Sequence, residues 1–381
     1  MSFLGVLVGV AMILWTLMEA FEVMVLPRRV TRQFRFTRLF YRGNWKVWLG
    51  LARCFRSPKR RESCLSMFGP LSMLTLFSTW VVALIVGFAL LHGSLGTPLQ
   101  SPTGAIDPPT LLYFSGITFF TIGYGDVVPL NSLGRWLAVI EGGVGFGFLA
   151  VTIGYMPVLY QAFSRREAAI SLLDARAGSP PSAGQFLLRL APRHDTGAGD
   201  VLLAEWERWS AELLESHLSF PVLSYYRSQH DNQSWLAALT AILDSCALLI
   251  ATAPGKCSYQ AQLTFAMSRH AAVDLALVFD TPPLPAEPDR LPNDAWLRLL
   301  HQLREAGLQP RDGPIVEAKL TELRGMYEPF VNALARYFHF PLPPIFTEKT
   351  SVDNWQTSAW TRRTASLRRL PVVEDGDEHF D

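Results

Sequence analysis

The chain has 381 residues, enough for a membrane module and a soluble region, and its net charge is only +1. The charge is unevenly spread: residues 28–61 hold twelve Lys or Arg and no Asp or Glu, whereas residues 164–381 hold 21 Lys or Arg against 27 Asp or Glu. Positive residues collect on the cytoplasmic side of membrane helices, so this pattern argues for membrane orientation and against nucleic-acid binding.

The first predicted element is a membrane span from Phe3 to Leu26, within a segment 1–27 that is apolar except for Glu19 and Glu22. It is long enough to cross about 30 Å of hydrocarbon. Its basic residues follow the apolar run, which predicts a retained helix with its N-terminus outside, not a cleaved signal peptide. Arginines do not repeat inside it, which excludes a voltage sensor. We expect the glutamates to pair with the arginines that follow; ion sensing is the alternative.

The basic segment 28–66 is predicted to lie on the cytoplasmic side. Aromatic residues, including Phe40, Trp45 and Trp48, alternate there with arginines. One interpretation is an amphipathic segment that lies on anionic lipid headgroups and contacts the pore helices. The other is ordinary positive-inside charge with aromatic anchors, and the sequence leaves both open.

A second span is predicted over Phe68–Leu91, opened by Gly69-Pro70, and a third over Arg135–Phe163. Between them, residues 92–107 lack Lys and Arg and resemble an extracellular turret. Pro108-Pro109 then favour a helix start. The helix that follows, Thr110–Phe120, is too short to cross the bilayer, so we expect it to dip in and return.

This topology makes residues 67–163 one module with three spans in all, and it places every basic cluster on the cytoplasmic face. The sequence therefore predicts a multi-pass protein of a plasma membrane, the bacterial inner membrane by its type. Residues 164–373 would be cytoplasmic.

The most informative motif is Thr121-Ile-Gly-Tyr-Gly-Asp126, which lies between the short helix and the third span. A dehydrated K⁺ ion needs a ring of oxygens, and backbone carbonyls supply it when they point along one axis. Glycine tolerates φ > 0, which allows this geometry at Gly123 and Gly125. A chance Gly-rich turn is the competing interpretation. The segment Gly116–Pro129 resembles the pore of prokaryotic tetrameric potassium channels of the two-transmembrane-pore type.

The resemblance implies a homotetramer, because one chain carries one filter segment and a closed ring needs four. It implies K⁺ as the permeant ion, and no organic cofactor is predicted. Filter support would come from an aromatic cuff at Tyr113 and Phe114 and from Asp126. Ile117 stands where some relatives place the carboxylate partner of that Asp, so the Tyr113 hydroxyl is one candidate partner. The residues implied to bind K⁺ are Thr121, Ile122, Gly123, Tyr124 and Gly125.

The third span carries the predicted gating residues. Gly145 matches the inner-helix glycine of related channels, which favours a hinge over close helix packing. Pro157 should kink the helix. Glu141 either supports the back of the filter or reaches the interface. Helical spacing predicts a cavity wall and an intracellular gate formed by Phe146, Leu149, Ile153, Met156 and Tyr160.

The C-terminal region is predicted to be helical and regulatory, with an acidic disordered tail at 374–381. It lacks the GxGxxG of a nucleotide-binding fold and the short strands of a cyclic-nucleotide-binding roll. Ser234–Thr252 could be mistaken for a fourth span, but we expect a buried helix. The sequence gives no support for catalysis. Further helices are predicted over Val201–Leu218, Gln260–Phe279, Asp294–Ala306 and Pro314–Phe338.

The densest polar and aromatic cluster of this region is Ser224–Trp235. Arg227 and His230 are candidates for binding an unknown cytosolic ligand. The alternative is that the cluster caps a helix start and ties helices together. The four cysteines fit no zinc spacing and are read as reduced thiols: Cys54, Cys64, Cys246 and Cys257.

Together these features predict an all-α membrane protein with three transmembrane helices, a re-entrant pore helix and filter, a fourfold pore and a helical cytosolic domain. The function they favour is passive K⁺ conduction, gated at the inner helices and regulated by the cytosolic region. A potassium-transporter subunit is one alternative, although such chains carry four degenerate filters. A membrane-anchored receptor or signalling protein with a vestigial pore is another, and the intact filter argues against it.

Overall fold

The computed structural model describes residues 2–26, 36–102, 104, 106–191, 197–229, 232–253, 258–285 and 287–348. The chain forms two compact units. The first comprises Met1–Ser164 and Glu215–Arg227, and the second comprises Arg165–Leu214 and Ser228–Asp381. The sequence placed residues 164–373 in one helical region. In the structure, apolar side chains of Glu215–Arg227, including Val222 and Leu223, pack into the core of the first unit.

The first unit is built from long apolar helices. Two short antiparallel strands, β1 (Leu99–Gln100) and β2 (Val128–Pro129), lie between them. A shared core of buried aromatic side chains, including Trp80, Phe119 and Phe148, joins the helices. The helices are α1 (Phe3–Met24), α2 (Phe36–Arg53), α3 (Pro58–Leu95), α4 (Pro108–Phe119) and α5 (Ser132–Ala177).

Two helix boundaries differ from the sequence prediction. Helix α3 begins at Pro58, and Pro70 lies inside it instead of opening it. Proline removes only one backbone donor, and apolar helices tolerate the loss where neighbouring groups compensate. Helix α5 continues through Pro157 and past Phe163 to Ala177, because no glycine or further proline interrupts residues 158–177.

Glu19 of α1 binds the beginning of α2. Its carboxylate accepts hydrogen bonds from the backbone N–H groups of Phe36 and Thr37, at 3.3 and 3.2 Å, and from the Thr37 hydroxyl at 2.8 Å. A carboxylate at a helix N-terminus satisfies free N–H groups and complements the helix dipole. The predicted partners of Glu19 at residues 28–35 lie outside the described residues, so that pairing stays a prediction.

The second unit is a helical bundle around the buried helix α8. The predicted helix Pro314–Phe338 is two helices, separated at Met326–Tyr327, because the backbone of Tyr327 leaves the helical conformation. A 3₁₀ helix, Pro221–Tyr225, follows α7. The helices are α6 (Ala183–Leu190), α7 (Ala198–Ser219), α8 (Trp235–Thr252), α9 (Ser258–Val278), α10 (Asn293–Glu305), α11 (Pro314–Gly325) and α12 (Glu328–Phe338).

Four helices in the described part of the chain are long and apolar enough to cross a membrane: α1, α3, α5 and α8. The apolar window of α8 is 89% buried inside the protein, whereas the windows of the other three are at most 44% buried. The burial of α8 agrees with the predicted core helix. Its central Asp244 is neutralised by Arg290, at 2.7 Å, and accepts a hydrogen bond from Tyr327.

Candidate ion-conduction site

The site begins at the short helix α4. Asp107 caps its N-terminus by accepting from the Thr110 backbone N–H at 3.0 Å, and Pro108 occupies the first turn. Proline fits there because its missing N–H has no helical partner in any case. The helix ends at Phe119, as the sequence predicted to within one residue, and Thr121–Gly125 follow directly.

The backbone of this segment alternates in handedness. φ is +55° at Thr121, +59° at Gly123 and +79° at Gly125, whereas Ile122 and Tyr124 have negative φ. Alternate left-handed residues allow consecutive carbonyls to point to one side, unlike those of a regular strand. Sequence reasoning identified the two glycines. It also named Thr121 as a filter residue but did not predict its positive φ, because β-branched residues rarely adopt positive φ.

Hydrogen bonds hold the inner end of the segment to α4. The carbonyl of Ile117 accepts from the N–H groups of Ile122, at 2.8 Å, and Gly123, at 3.3 Å. The N–H of Thr121 donates to Thr118 at 3.0 Å. Among the described residues, no N–H or side-chain group donates to the carbonyls of residues 121–125. The N–H groups of Thr121, Ile122 and Gly123 are therefore engaged, while the carbonyls of residues 121–125 remain for a ligand such as a cation.

The outer end is held by Tyr113 and Asp126. The Tyr113 hydroxyl donates to Asp126 Oδ2 at 2.8 Å, the pairing that the sequence named as a candidate. Phe114 is buried in a small cluster with Leu99 and Val127, next to strands β1 and β2. The aromatic pair that the sequence treated as one cuff thus has two positions, one at the filter mouth and one in the core.

One face of α5 is buried inside the first unit, and another face, called the open face, is exposed. The residues predicted to line the cavity lie on the open face: Phe146, Ile153 and Tyr160 are 68%, 71% and 65% exposed, and Leu149 and Met156 are partly or largely exposed. Phe148, Tyr155 and Leu159 on the other face are buried. The predicted stripe is thus continuous and available to face a central axis.

Gly145 lies against the end of α4. A Cβ atom at this position would lie 1.9 Å from the carbonyl oxygen of Phe119, so only glycine fits without displacement. Helix α5 runs unbroken through Gly145 and Pro157. The geometry favours the close-packing interpretation that the sequence ranked second. The hinge and the kink stay predictions, because they concern motion and axis direction.

Glu141 is fully buried and contacts Ser115 and His92, which excludes the interpretation that it reaches the interface. Sequence reasoning missed both partners. His92 is the one ionisable residue within the apolar part of α3, and such a residue inside a membrane helix is itself a signal. Ser115 gave no signal, because a serine in a short helix is common.

The segment Glu215–Arg227 belongs to the same unit and packs at one end of α3 and α5. Tyr225 contacts Trp45 and Phe68, with ring centroids 5.3 and 5.1 Å apart. Phe220 lies 5.4 Å from Tyr155, and Tyr226 lies 5.5 Å from Phe163. We refer to residues 215–227 as the return segment.

Arg227 is buried, and its Nη1 lies 3.3 Å from Glu62 Oε1. Burial lowers the pKa of Arg227 to about 10, so the side chain keeps its charge at neutral pH. His230 lies outside the described residues, and the ligand site predicted for the pair stays a prediction. Ser234 accepts from the Ala237 N–H at 3.0 Å, so this part of the cluster caps α8, as the alternative interpretation stated.

Comparison with known proteins supports an ion-conduction site. A family model described as "Ion channel" matches residues 73–161, which include Thr121–Gly125. An uncharacterised membrane protein of Bacillus subtilis (strain 168), YdjJ, is 27% identical over 208 residues, which are 52% of this chain and 57% of that protein. The present chain thus aligns with little more than half the length of that relative.

Two shorter relatives align with a smaller share of the chain. Protein LctB of Bacillus caldotenax is 36% identical over 93 residues, which are 22% of this chain and 69% of that protein. Protein LctB of Geobacillus stearothermophilus is 34% identical over 95 residues, 21% of this chain and 70% of that protein. No solved structure matches the chain.

Proposed function

Because the chain belongs to the ion channel family, we propose that it is a K⁺-selective channel that conducts passively through the backbone carbonyls of Thr121–Gly125. The observation that carries this proposal is the backbone of that segment, with positive φ at residues 121, 123 and 125. The N–H groups of its inner half, Thr121 to Gly123, donate to α4, and its carbonyls remain to replace the hydration shell of a cation.

A homotetramer follows from the chemistry of the filter. A single strand supplies one oxygen to each layer, and a K⁺ ion needs a ring. The open face of α5, from Phe146 to Tyr160, gives each chain an apolar surface that a fourfold axis would cover. We propose that this face lines the cavity and that Met156 and Tyr160 form the intracellular gate.

We propose that the basic residues of 28–61 fix the orientation, with the N-terminus outside and the second unit in the cytoplasm of a bacterial cell. The return segment packs on Tyr155 and Phe163, next to the proposed gate residues. Regulation by the C-terminal region would act through these contacts, with a cytosolic ligand as the stimulus.

The test uses the purified full-length protein in vesicles of anionic and neutral lipid, with K⁺ flux and bi-ionic reversal potentials as measurements. We expect K⁺ to permeate at least about a hundredfold better than Na⁺, the discrimination expected of a carbonyl filter. Cross-linking should give a tetramer. Equal permeation of the two ions would overturn the assignment of selectivity, and a monomer that conducts would overturn the shared filter.

A further inference from the structure

A buried polar cluster joins the three helices that surround the filter. Glu141 lies on α5, Ser115 on α4 and His92 on α3, and each is fully buried. Polar groups in an apolar membrane core are costly unless they bind one another. Their convergence from three helices therefore requires an explanation beyond chance packing.

The contacts of the cluster are specific. The Ser115 hydroxyl is hydrogen-bonded to Glu141 Oε1 and also lies 2.9 Å from the carbonyl oxygen of Ile85. Glu141 Oε2 lies 3.5 Å from His92 Nε2. The other ring nitrogen, Nδ1, lies 3.3 Å from the Thr97 hydroxyl, which sets the orientation of the imidazole. Glu141 is thus the centre of the cluster: one of its carboxyl oxygens contacts α4 and the other contacts α3.

Few other ionisable groups face this pair. Helix α4 has no Asp, Glu, Lys, Arg or His, and α3 from Phe68 to Leu95 has only His92. On α5, Arg135 donates to the carbonyl oxygen of Pro129 at 3.3 Å. The titratable phenol of α4, Tyr113, is bound to Asp126.

Helix α1 also packs on α3, and its ionisable residues are Glu19 and Glu22. Gly5 of α1 lies beside Ser94, so Glu19 is about 21 Å further along the helix axis at 1.5 Å per residue. His92 and Glu141 are therefore the ionisable pair at the centre of the cluster.

The cluster is connected to the filter by a short path. Ser115 is two residues before Ile117, whose carbonyl binds the N–H groups of Ile122 and Gly123. The position of α4 at Ser115 thus sets the position of the filter's inner half. Gly145, one turn after Glu141, fixes the end of α4 by contact with Phe119.

We propose that Glu141 is a positioning residue for ion selection: with Ser115 and His92 it fixes α4 against α3 and α5, and so fixes the carbonyl ring of the filter. The inference rests on the proposed K⁺ channel function. It states that this cluster keeps the filter carbonyls at the positions that K⁺ selection requires.

The experiment compares full-length reconstituted Glu141→Ala, Glu141→Gln, Ser115→Ala and His92→Gln with wild type. The measurement is the K⁺/Na⁺ permeability ratio. Glu141→Ala and Ser115→Ala should lower the ratio at least about tenfold, since each removes a buried hydrogen bond. Glu141→Gln can still bind Ser115, so it should restore part of the ratio, and His92→Gln, which leaves that bond in place, should lower it less than Glu141→Ala.

Glu22→Gln is the matched control, because Glu22 is also a buried carboxylate of a membrane helix, and it should keep the wild-type ratio. Wild-type values in both Glu141→Ala and Glu141→Gln would overturn the inference, as would an equal loss in Glu22→Gln. If Glu141→Ala does not assemble, Ser115→Ala and Glu141→Gln decide the outcome. A wild-type protein without K⁺ selectivity would instead remove the proposed function, so the two failures are distinguishable.

Discussion

Gly145→Ala tests whether the inner helix needs a glycine for close contact with the pore helix. The added Cβ would lie 1.9 Å from the carbonyl oxygen of Phe119, and ordinary contact begins at 3.4 Å. The two backbones must therefore separate by the difference, about 1.5 Å, because neither atom belongs to a flexible side chain. The carbonyls of Ile117 and Thr118, which precede Phe119 in α4, bind the N–H groups of residues 121–123. A displacement of Phe119 should therefore reach the conduction site.

The magnitude follows from overpacking and helix propensity. Forcing an extra carbon into a packed contact costs about 1–3 kcal/mol. Gly147→Ala is the matched control: it lies two residues further on in α5, and its Cβ would meet no atom within 4 Å. There the substitution should stabilise the helix by about 1 kcal/mol. Gly145→Ala gains the same helix propensity, so the two variants should differ by the overpacking cost, about 1–3 kcal/mol in unfolding free energy.

The assay is denaturant-induced unfolding of the full-length protein in micelles, together with K⁺ flux in vesicles. Gly145→Ala should unfold at lower denaturant concentration than wild type and conduct less, whereas Gly147→Ala should do neither. Equal stability and conduction in the two variants would refute the close-packing argument. A Gly145→Ala variant with wild-type stability and altered open probability would support the hinge instead.

Three further outcomes are expected. Gly123→Ala should abolish K⁺ flux without preventing assembly, because alanine at φ of +59° costs about 1–2 kcal/mol in each chain. Under the proposed topology, a cysteine at Ser101 should react with an impermeant thiol reagent from outside intact cells, and one at Ser57 should not. Tyr225→Ala should change open probability and leave the K⁺/Na⁺ permeability ratio unchanged, because it loosens the return segment and not the filter.

For each of these three predictions, one result would contradict it. Wild-type flux in Gly123→Ala would remove the filter assignment, provided that cross-linking shows the same assembly. Labelling at Ser57 but not at Ser101 would invert the topology. For Tyr225, the control is Tyr259→Ala, a tyrosine of α9 that is 75% exposed. Equal effects of the two tyrosine variants would mean that the return segment has no special link to gating.

The pore was predictable because its signals are local. Two glycines at the required spacing, a helix too short to cross the bilayer and two apolar flanking spans all lie within residues 67–163. The bond between Tyr113 and Asp126 could also be named, since each residue was placed by the motif. The positive φ of Thr121 could not be predicted, because β-branched residues rarely adopt it.

The polar contacts that the sequence did not predict join parts of the chain that are distant in sequence. Glu19 was read as a partner of nearby arginines, but it also caps α2, whose first turn lies 17 residues away. Ser115 and Glu141 meet 26 residues apart, and Arg227 meets Glu62. Periodicity and capping rules describe one element at a time, so they do not say which polar groups of different helices converge.

The contacts of α5 restrict where a gating movement could occur. Near the filter the helix is held by Gly145 against Phe119, and lower down it is held by Tyr155 and Phe163 against the return segment. If the gate lies at Met156 and Tyr160, as we propose, opening has to change the lower contacts and can leave the upper ones intact. A stimulus shifts such an equilibrium only through its differential affinity for the two states. Regulation should therefore act on the free energy of the return-segment contacts, and selectivity should stay constant while open probability changes.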